Sequence, residues 1–133
     1  MTLAPARLEF SQEDVDGITK ASLDYVEGFT QGDADRHALA YHPEALKRRY
    51  DKSDVSGIDI LETISPQGMV DYARTGHSIV EDIQHEIIID AVSEDIASVR
   101  LYSSKWVDFL HMAKARGEWR ILHVVWHHVR TEG

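Results

Sequence analysis

The amino-acid sequence predicts an α+β fold, with helices in its first half and an antiparallel sheet in its second. Three observations carry this. Residues 105–129 read as two β-rich runs, 106–114 and 118–129, broken at Ala115-Arg116-Gly117, where glycine supplies the positive φ of a short turn. Two further β-rich runs, 84–92 and 96–103, flank the polar turn Ser93-Glu94-Asp95, a second hairpin. Upstream of both lie three segments with helix-start signals. Helices first and strands last is the order in which helices pack on one face of an antiparallel sheet.

Taken from the N-terminus, residues 1–12 form a short arm, with Pro5 and few periodic apolar positions. Ser11 followed by Asp14, within the acidic run Glu13, Asp14 and Asp16, marks a helix start by capping-box spacing and by carboxylates at the positive end of the dipole. That helix is expected over 14–31, with Val15, Ile18, Ser22, Tyr25, Val26 and Phe29 on its core face and Gly32 as its stop. Asp33 caps a second helix over 34–41, which ends before His42-Pro43 because a residue preceding proline is pushed out of helical geometry. Residues 45–50 read as a short strand, 51–57 as a polar loop, and 58–64 as a strand able to pair with the one before. Ser65-Pro66 opens a third helix, with Met69, Val70, Tyr72 and Ala73 on its buried side and Gly76 at its end. No repeat or low-complexity segment interrupts this order, and a single domain is expected over 13–130.

Composition narrows the function classes. With 133 residues the chain can bury roughly two thirds of its extended surface in one core. A net charge of −9 argues against nucleic acid, whose phosphates select clustered Lys and Arg, and the one basic cluster, Lys47-Arg48-Arg49, is short. No cysteine is present, which removes disulfides and thiolate metal sites from consideration. The first fifteen residues lack a basic stretch followed by an apolar one, no apolar run approaches membrane length, and a cytoplasmic location is expected.

The terminal hairpin brings aromatic and ionisable side chains onto neighbouring strands, the makings of a small-molecule pocket. Candidate ligand contacts are Tyr25 on the core face of the first helix, Tyr72, Tyr102, His111 and Trp126, with His42 and Arg49 for an anionic group. In the basic strand Arg48 and Tyr50 share one face and Lys47 and Arg49 the other, so one basic residue can enter the pocket mouth. His123 and His127 lie on one strand face but about 13 Å apart, too far to chelate one ion, so neither a metal nor another cofactor is expected. Core tyrosines, sheet tryptophans packed in the interior or at an interface, and sheet histidines bonded to neighbours are the commoner account of each residue.

The segments DYVEGFTQGDADR, HPEALKRR, ISPQGMVDYAR and DFLHMAK followed by GEWRIL resemble the nuclear transport factor 2-like superfamily, and within it the bacterial lumazine-binding group with its SnoaL-like relatives. The likeness runs from about Asp14 to His128. It implies a cone-shaped, cystatin-like α+β barrel, a bent antiparallel sheet wrapped around the first helix with a pocket at the open end, and a homodimer packed through the outer sheet faces. Relatives include isomerases, dehydratases, cyclases and binding modules, so fold alone selects no function. The resemblance also implies Asp108 with a histidine, His123, as a general base for a cofactor-free isomerase or dehydratase. Their meeting depends on register. A two-residue turn at Arg116-Gly117 sets Asp108 opposite Val125, on the face of His123 and His127. A three-residue loop with a glycine bulge sets it opposite Val124, on the face of Trp126 and His128, with His111 joining His123. A small-molecule-binding protein is the first expectation, the isomerase or dehydratase the second, and a dimeric interaction module without a ligand the third.

Overall fold

A computed structural model describes residues 10–53 and 57–130; positions 1–9 of the expected arm, and 54–56 of the expected loop, lie outside the described residues. The elements are α1 (Gln12–Thr30), α2 (Ala34–Leu39), β1 (Tyr41–Lys52), β2 (Asp59–Ile64), α3 (Pro66–Arg74), β3 (Glu86–Ser93), β4 (Ile96–Tyr102), β5 (Trp106–Ala115) and β6 (Glu118–His128). Each helix starts at the expected cap: Ser11 accepts from the Asp14 amide, Asp33 from Arg36 and Ser65 from Gly68, with Pro66 in the first turn.

The strands form one curved sheet in the order β2-β1-β6-β5-β4-β3. Every pairing is antiparallel except β1 with β6, which run parallel. The core lies between α1 and the inner face. Ile18, Tyr25 and Val26 meet Val99 and Leu101 of β4, Leu110 and Met112 of β5, and Ile121 and Val124 of β6. Full burial of side chains of this size stabilises by about 1.5–3 kcal/mol each, so this layer is what fixes the helix on the sheet.

Three local outcomes differ from expectation. Helix α2 stops at Leu39 rather than at 41, because the Ile121 amide donates to the Ala40 carbonyl (2.8 Å) and draws the chain straight into the sheet. Strand β1 accordingly spans Tyr41–Lys52 rather than 45–50. Tyr41 lies opposite Ile121 but Leu46 opposite His123, so the extra residues, Pro43 among them, sit in an irregular stretch where proline's missing N–H costs no ladder bond. The third difference is the register of the terminal hairpin. Ala115 pairs with Glu118 around a two-residue turn whose Arg116 and Gly117 both have positive φ (54° and 81°). A bulge at Leu122 then shifts the ladder, setting His111 opposite His123 and Asp108 opposite Trp126. The turn is that of the first expected register, while the facing residues come close to those of the second.

A close approach holds α2 against α1. A methyl group built on Gly28 would lie 2.5 Å from the His37 backbone nitrogen and 2.8 Å from its Cα, so only glycine admits this contact. It brings the His37 ring onto Tyr25 at 5.3 Å, nearly parallel. His37 Nδ1 lies 2.7 Å from the Tyr25 carbonyl, which can only accept, so Nδ1 carries the proton. Burial, with the Lys47 charge nearby, pulls the His37 pKa from 6.5 to about 4. At neutral pH Nε2 is therefore unprotonated and accepts from the Tyr41 hydroxyl (3.0 Å).

Gly28→Ala should cost about 2 kcal/mol by overpacking against an unyielding backbone, lowering the melting midpoint by roughly 5–10 °C. Gly68→Ala is the control, since its added carbon meets only Ser65 side-chain atoms at 3.8 Å; equal melting temperatures for the two variants would contradict the packing described. A folded histidine titrating near 4 stays neutral while the unfolded chain takes up a proton below about 6.5, so stability falls as pH drops through that window. The contribution is about 3 kcal/mol. Urea unfolding at pH 7 and 4.5 should show a smaller pH-dependent loss in His37→Gln than in the parent, and an unchanged loss would remove His37 from the account.

Candidate functional site

The inner face of the sheet and the buried side of α1 border a cavity at the C-terminal end of the helix. Its space, counted out to the mouth, is ≈ 430 Å³, of which ≈ 60 Å³ is wide enough to take the centre of a water molecule. Helix α1 contributes Tyr25, Val26, Phe29 and Thr30, and α3 contributes Met69. The sheet side supplies Lys47, Trp106, Asp108 and Trp126, and His85 closes the wall just before β3. Phe29 meets Trp106 edge to face at 5.9 Å, and with Tyr25 and Trp126 these rings make up much of the wall.

Three polar groups cross this apolar space as a chain. Lys47 Nζ donates to Tyr25 Oη at 2.6 Å, and the Tyr25 O–H donates to Asp108 Oδ2 at 2.6 Å. All three are buried, with relative exposures of 3%, 4% and 8%. Burial draws the Lys47 amine from 10.5 down to about 8, against the opposing pull of the Asp108 charge. Burial pushes the Asp108 carboxyl up, and Lys47 and the Tyr25 hydrogen bond draw it back. The Tyr25 phenol is raised well above its ordinary value, first by burial and then by the neighbouring Asp108 charge. Ammonium and carboxylate are thus closer in proton affinity than they would be in water, with a hydroxyl between them that both gives and takes a hydrogen bond.

Trp126 adds a fourth polar group. Its ring lies 5.5 Å from Lys47 Nζ, and its buried Nε1–H has no hydrogen-bond partner among the described residues. His85 is half-buried; burial lowers its pKa while the Asp108 and Glu27 charges raise it. The lining residues thus carry one indole N–H buried in the wall and unpaired among the described residues, an ammonium with hydrogens beyond the one given to Tyr25, and one carboxyl group.

The other residues singled out from the sequence lie elsewhere. His123 and His111 are exposed on the outer sheet face, their rings 5.9 Å apart, so His123 does not meet Asp108. Arg49 shares the face of Lys47 but sits two residues further along β1, paired with Asp51 and Glu62 at 3.3 and 3.2 Å. His42 accepts from the Glu44 amide (3.1 Å) in a separate surface cleft beside α3. Tyr72 is exposed, stacked on the Phe29 ring from α3. Tyr102, the last residue of β4 and paired with Val107, accepts from Arg100 (3.2 Å) and is not among the lining residues. Lys47, which lines the cavity, belongs to the basic cluster read for anion recognition, but Arg49 on the same strand face was taken as the contact; His85, which also lines it, was not among the ligand-contact candidates. Lys47 had one available signal, its two-residue spacing from Ala45 on a strand whose alternate positions face inward.

Among the described residues, no three His, Asp or Glu side chains converge as metal ligands, and no helix is long and apolar enough to cross a membrane.

The family model described as "Putative lumazine-binding" matches residues 13–127. The chain is also similar to solved structures. An NTF2-like protein of unknown function from Methylobacillus flagellatus is 22% identical, with 95% of this chain and all of that one covered at a TM-score of 0.74. Another from Shewanella baltica is 20% identical, with 92% and 100% covered and a TM-score of 0.77. A ketosteroid isomerase-like protein from Erwinia carotovora atroseptica is 13% identical, with 91% and 100% covered and a TM-score of 0.64. At such identities these likenesses speak for the fold alone. No curated protein matches the chain. Nearly the whole sequence fits the family model and the strands close around α1 as in these NTF2-like structures: the chain belongs to the "Putative lumazine-binding" family, in its nuclear transport factor 2-like fold.

Proposed function

We propose that the protein binds a small, flat, aromatic or cyclic molecule bearing acceptor oxygens in the cavity between α1 and the inner sheet face. The observation that carries this reading is the Trp126 N–H, buried in the cavity wall without a partner among the described residues and beside the Lys47 ammonium. An unpaired buried donor costs about 1–3 kcal/mol, and a ligand carbonyl would relieve it while its ring packs against Phe29, Trp106 and Trp126. The family's name points to the same chemistry, since lumazine is a flat bicyclic dione. Binding rather than turnover is favoured because Asp108 already accepts from Tyr25 and the histidine expected as its partner faces outward.

Thermal-shift measurements with lumazine and a panel of small aromatic carbonyl compounds test the reading. A ligand at one hundred times its Kd should stabilise by about 2.7 kcal/mol. Trp126→Phe, which keeps an aromatic wall but removes the N–H, should weaken binding roughly tenfold. The reading fails if no compound shifts the melting midpoint, or if Trp126→Phe binds as tightly as the parent.

The same proposal includes a homodimer through the outer sheet face. Phe109 of β5 and Val125 of β6 face each other across the strands there at 52% and 53% exposure, with Leu46 of β1 at 54% nearby. Apolar side chains grouped on one exposed sheet face support an interface there. Sedimentation velocity should give a dimer for the parent and a monomer for Phe109→Glu; a monomeric parent at micromolar concentration would rule it out.

A further inference from the structure

Hydrogen bonding leaves unused one capacity of the buried polar chain, the nucleophilicity of its amine. We propose that Lys47 captures aldehydes or ketones held in the cavity as an imine, with Tyr25 and Asp108 moving the protons. This rests on the cavity being the ligand site, and it narrows the ligand class to reactive carbonyl compounds of aromatic or cyclic shape.

The geometry supplies what imine formation needs. Lys47 lines the cavity and is 3% exposed, with its Nζ held over the Tyr25 and Trp126 rings at 4.7 and 5.5 Å. Its hydrogen bond to Tyr25 Oη continues to Asp108 Oδ2, so a proton leaving the ammonium has a two-step path to a carboxylate. The first step moves that proton through Tyr25 to Asp108, leaving a neutral amine and a carboxylic acid. The amine then adds to the carbonyl carbon, forming the C–N bond while the C=O π pair moves to oxygen. Tyr25 passes a proton from nitrogen to that oxygen, giving a carbinolamine. Asp108 finally protonates the hydroxyl, which leaves as water as the nitrogen lone pair forms C=N. One ammonium and one carbonyl compound become one iminium and one water. Asp108 ends as the carboxylate beside a cation, as it began, and no oxidant or reductant takes part.

The chain contains its own controls. Its other lysines are Lys20, Lys52, Lys105 and Lys114, of which Lys20 and Lys114 pair with Asp24 and Asp14. Desolvation favours the neutral amine at Lys47: with a pKa of about 8, roughly one molecule in ten carries it at pH 7. An ordinary surface lysine is neutral in roughly one molecule in two thousand. Buried lysines of this kind are the ones proteins use for Schiff-base chemistry.

The test uses the unmodified protein with benzaldehyde at pH 7 in the presence of sodium cyanoborohydride, which traps an imine as a stable secondary amine. Peptide mass mapping should place the adduct on Lys47 in at least tenfold excess over Lys20, Lys52, Lys105 and Lys114. Tyr25→Phe, with its fold checked by circular dichroism, should slow that labelling about tenfold while leaving any labelling of the surface lysines unchanged. Benzaldehyde without reductant is examined in parallel by thermal shift. A melting shift without a Lys47 adduct overturns the imine and leaves the cavity reading intact. Label spread over surface lysines with Lys47 unmodified, or neither shift nor adduct, also overturns it.

Discussion

The Tyr25 hydroxyl is the point on which the interior of this molecule turns. It takes a hydrogen bond from Lys47 on β1 and gives one to Asp108 on β5, both at 2.6 Å, and so ties α1 to two separate strands through one oxygen. A carboxylate and an ammonium taken from water each carry a desolvation penalty of several kcal/mol, offset only when geometry and hydrogen bonding are good. Removing one partner leaves the other as an uncompensated buried charge, at a cost of about 3–5 kcal/mol. The helix can therefore neither slide nor rotate on the sheet by much, since either motion breaks a contact that the apolar layer around it cannot replace.

That constraint reaches outward through neighbours. Gly28 lets α2 approach closely enough for His37 to donate to the Tyr25 carbonyl and stack on the Tyr25 ring. Tyr41, the first residue of β1, closes the set by meeting His37 at 3.0 Å and the Tyr25 ring edge to face at 5.8 Å. On the sheet side, the bulge at Leu122 places Trp126 rather than Val125 opposite Asp108. Without it, the indole would turn to the outer face and the cavity would lose both a wall and its unpaired donor. A glycine in a helix and one extra residue in a strand thus decide what the cavity contains.

Sequence reasoning reaches local features of this structure and misses non-local ones, for physical reasons that differ by residue. Caps at Ser11, Asp33 and Ser65 act within three residues and were readable, and the break at Ala115-Arg116-Gly117 was readable as a turn, though its length stayed open between two residues and three. The Leu122 bulge was not. Inward positions on β6 run Trp119, Ile121, Val124, Trp126, but Leu122 and Val125 are apolar too and fill the gap, so alternation shows no break. The parallel pairing of β1 with β6 joins segments far apart in the chain and leaves no periodic trace. Tyr25 could be placed from the helical stripe of α1. Lys47 and Arg49, which share strand parity, could not be separated until the helix position was known: one lies under Tyr25, the other at the rim among carboxylates.

A buried polar chain can serve as structure or as site, and its surroundings discriminate. A purely structural network is expected to be packed tightly and to satisfy every donor and acceptor it contains. The His37 cluster is of that kind: both ring nitrogens are engaged and the ring is covered on each side by Tyr25 and Phe29. The Lys47 chain is not. It borders open space, the ammonium has hydrogens beyond the one given to Tyr25, and the indole N–H beside it goes unanswered among the described residues. A structural tie between Lys47 and Asp108 would be cheaper with a methionine or leucine filling that space, because apolar packing would remove both the desolvation penalty and the void. The arrangement as it stands gains by having an outside molecule complete it, which is the physical sense in which this part of the interior is a site and the His37 cluster is part of the frame.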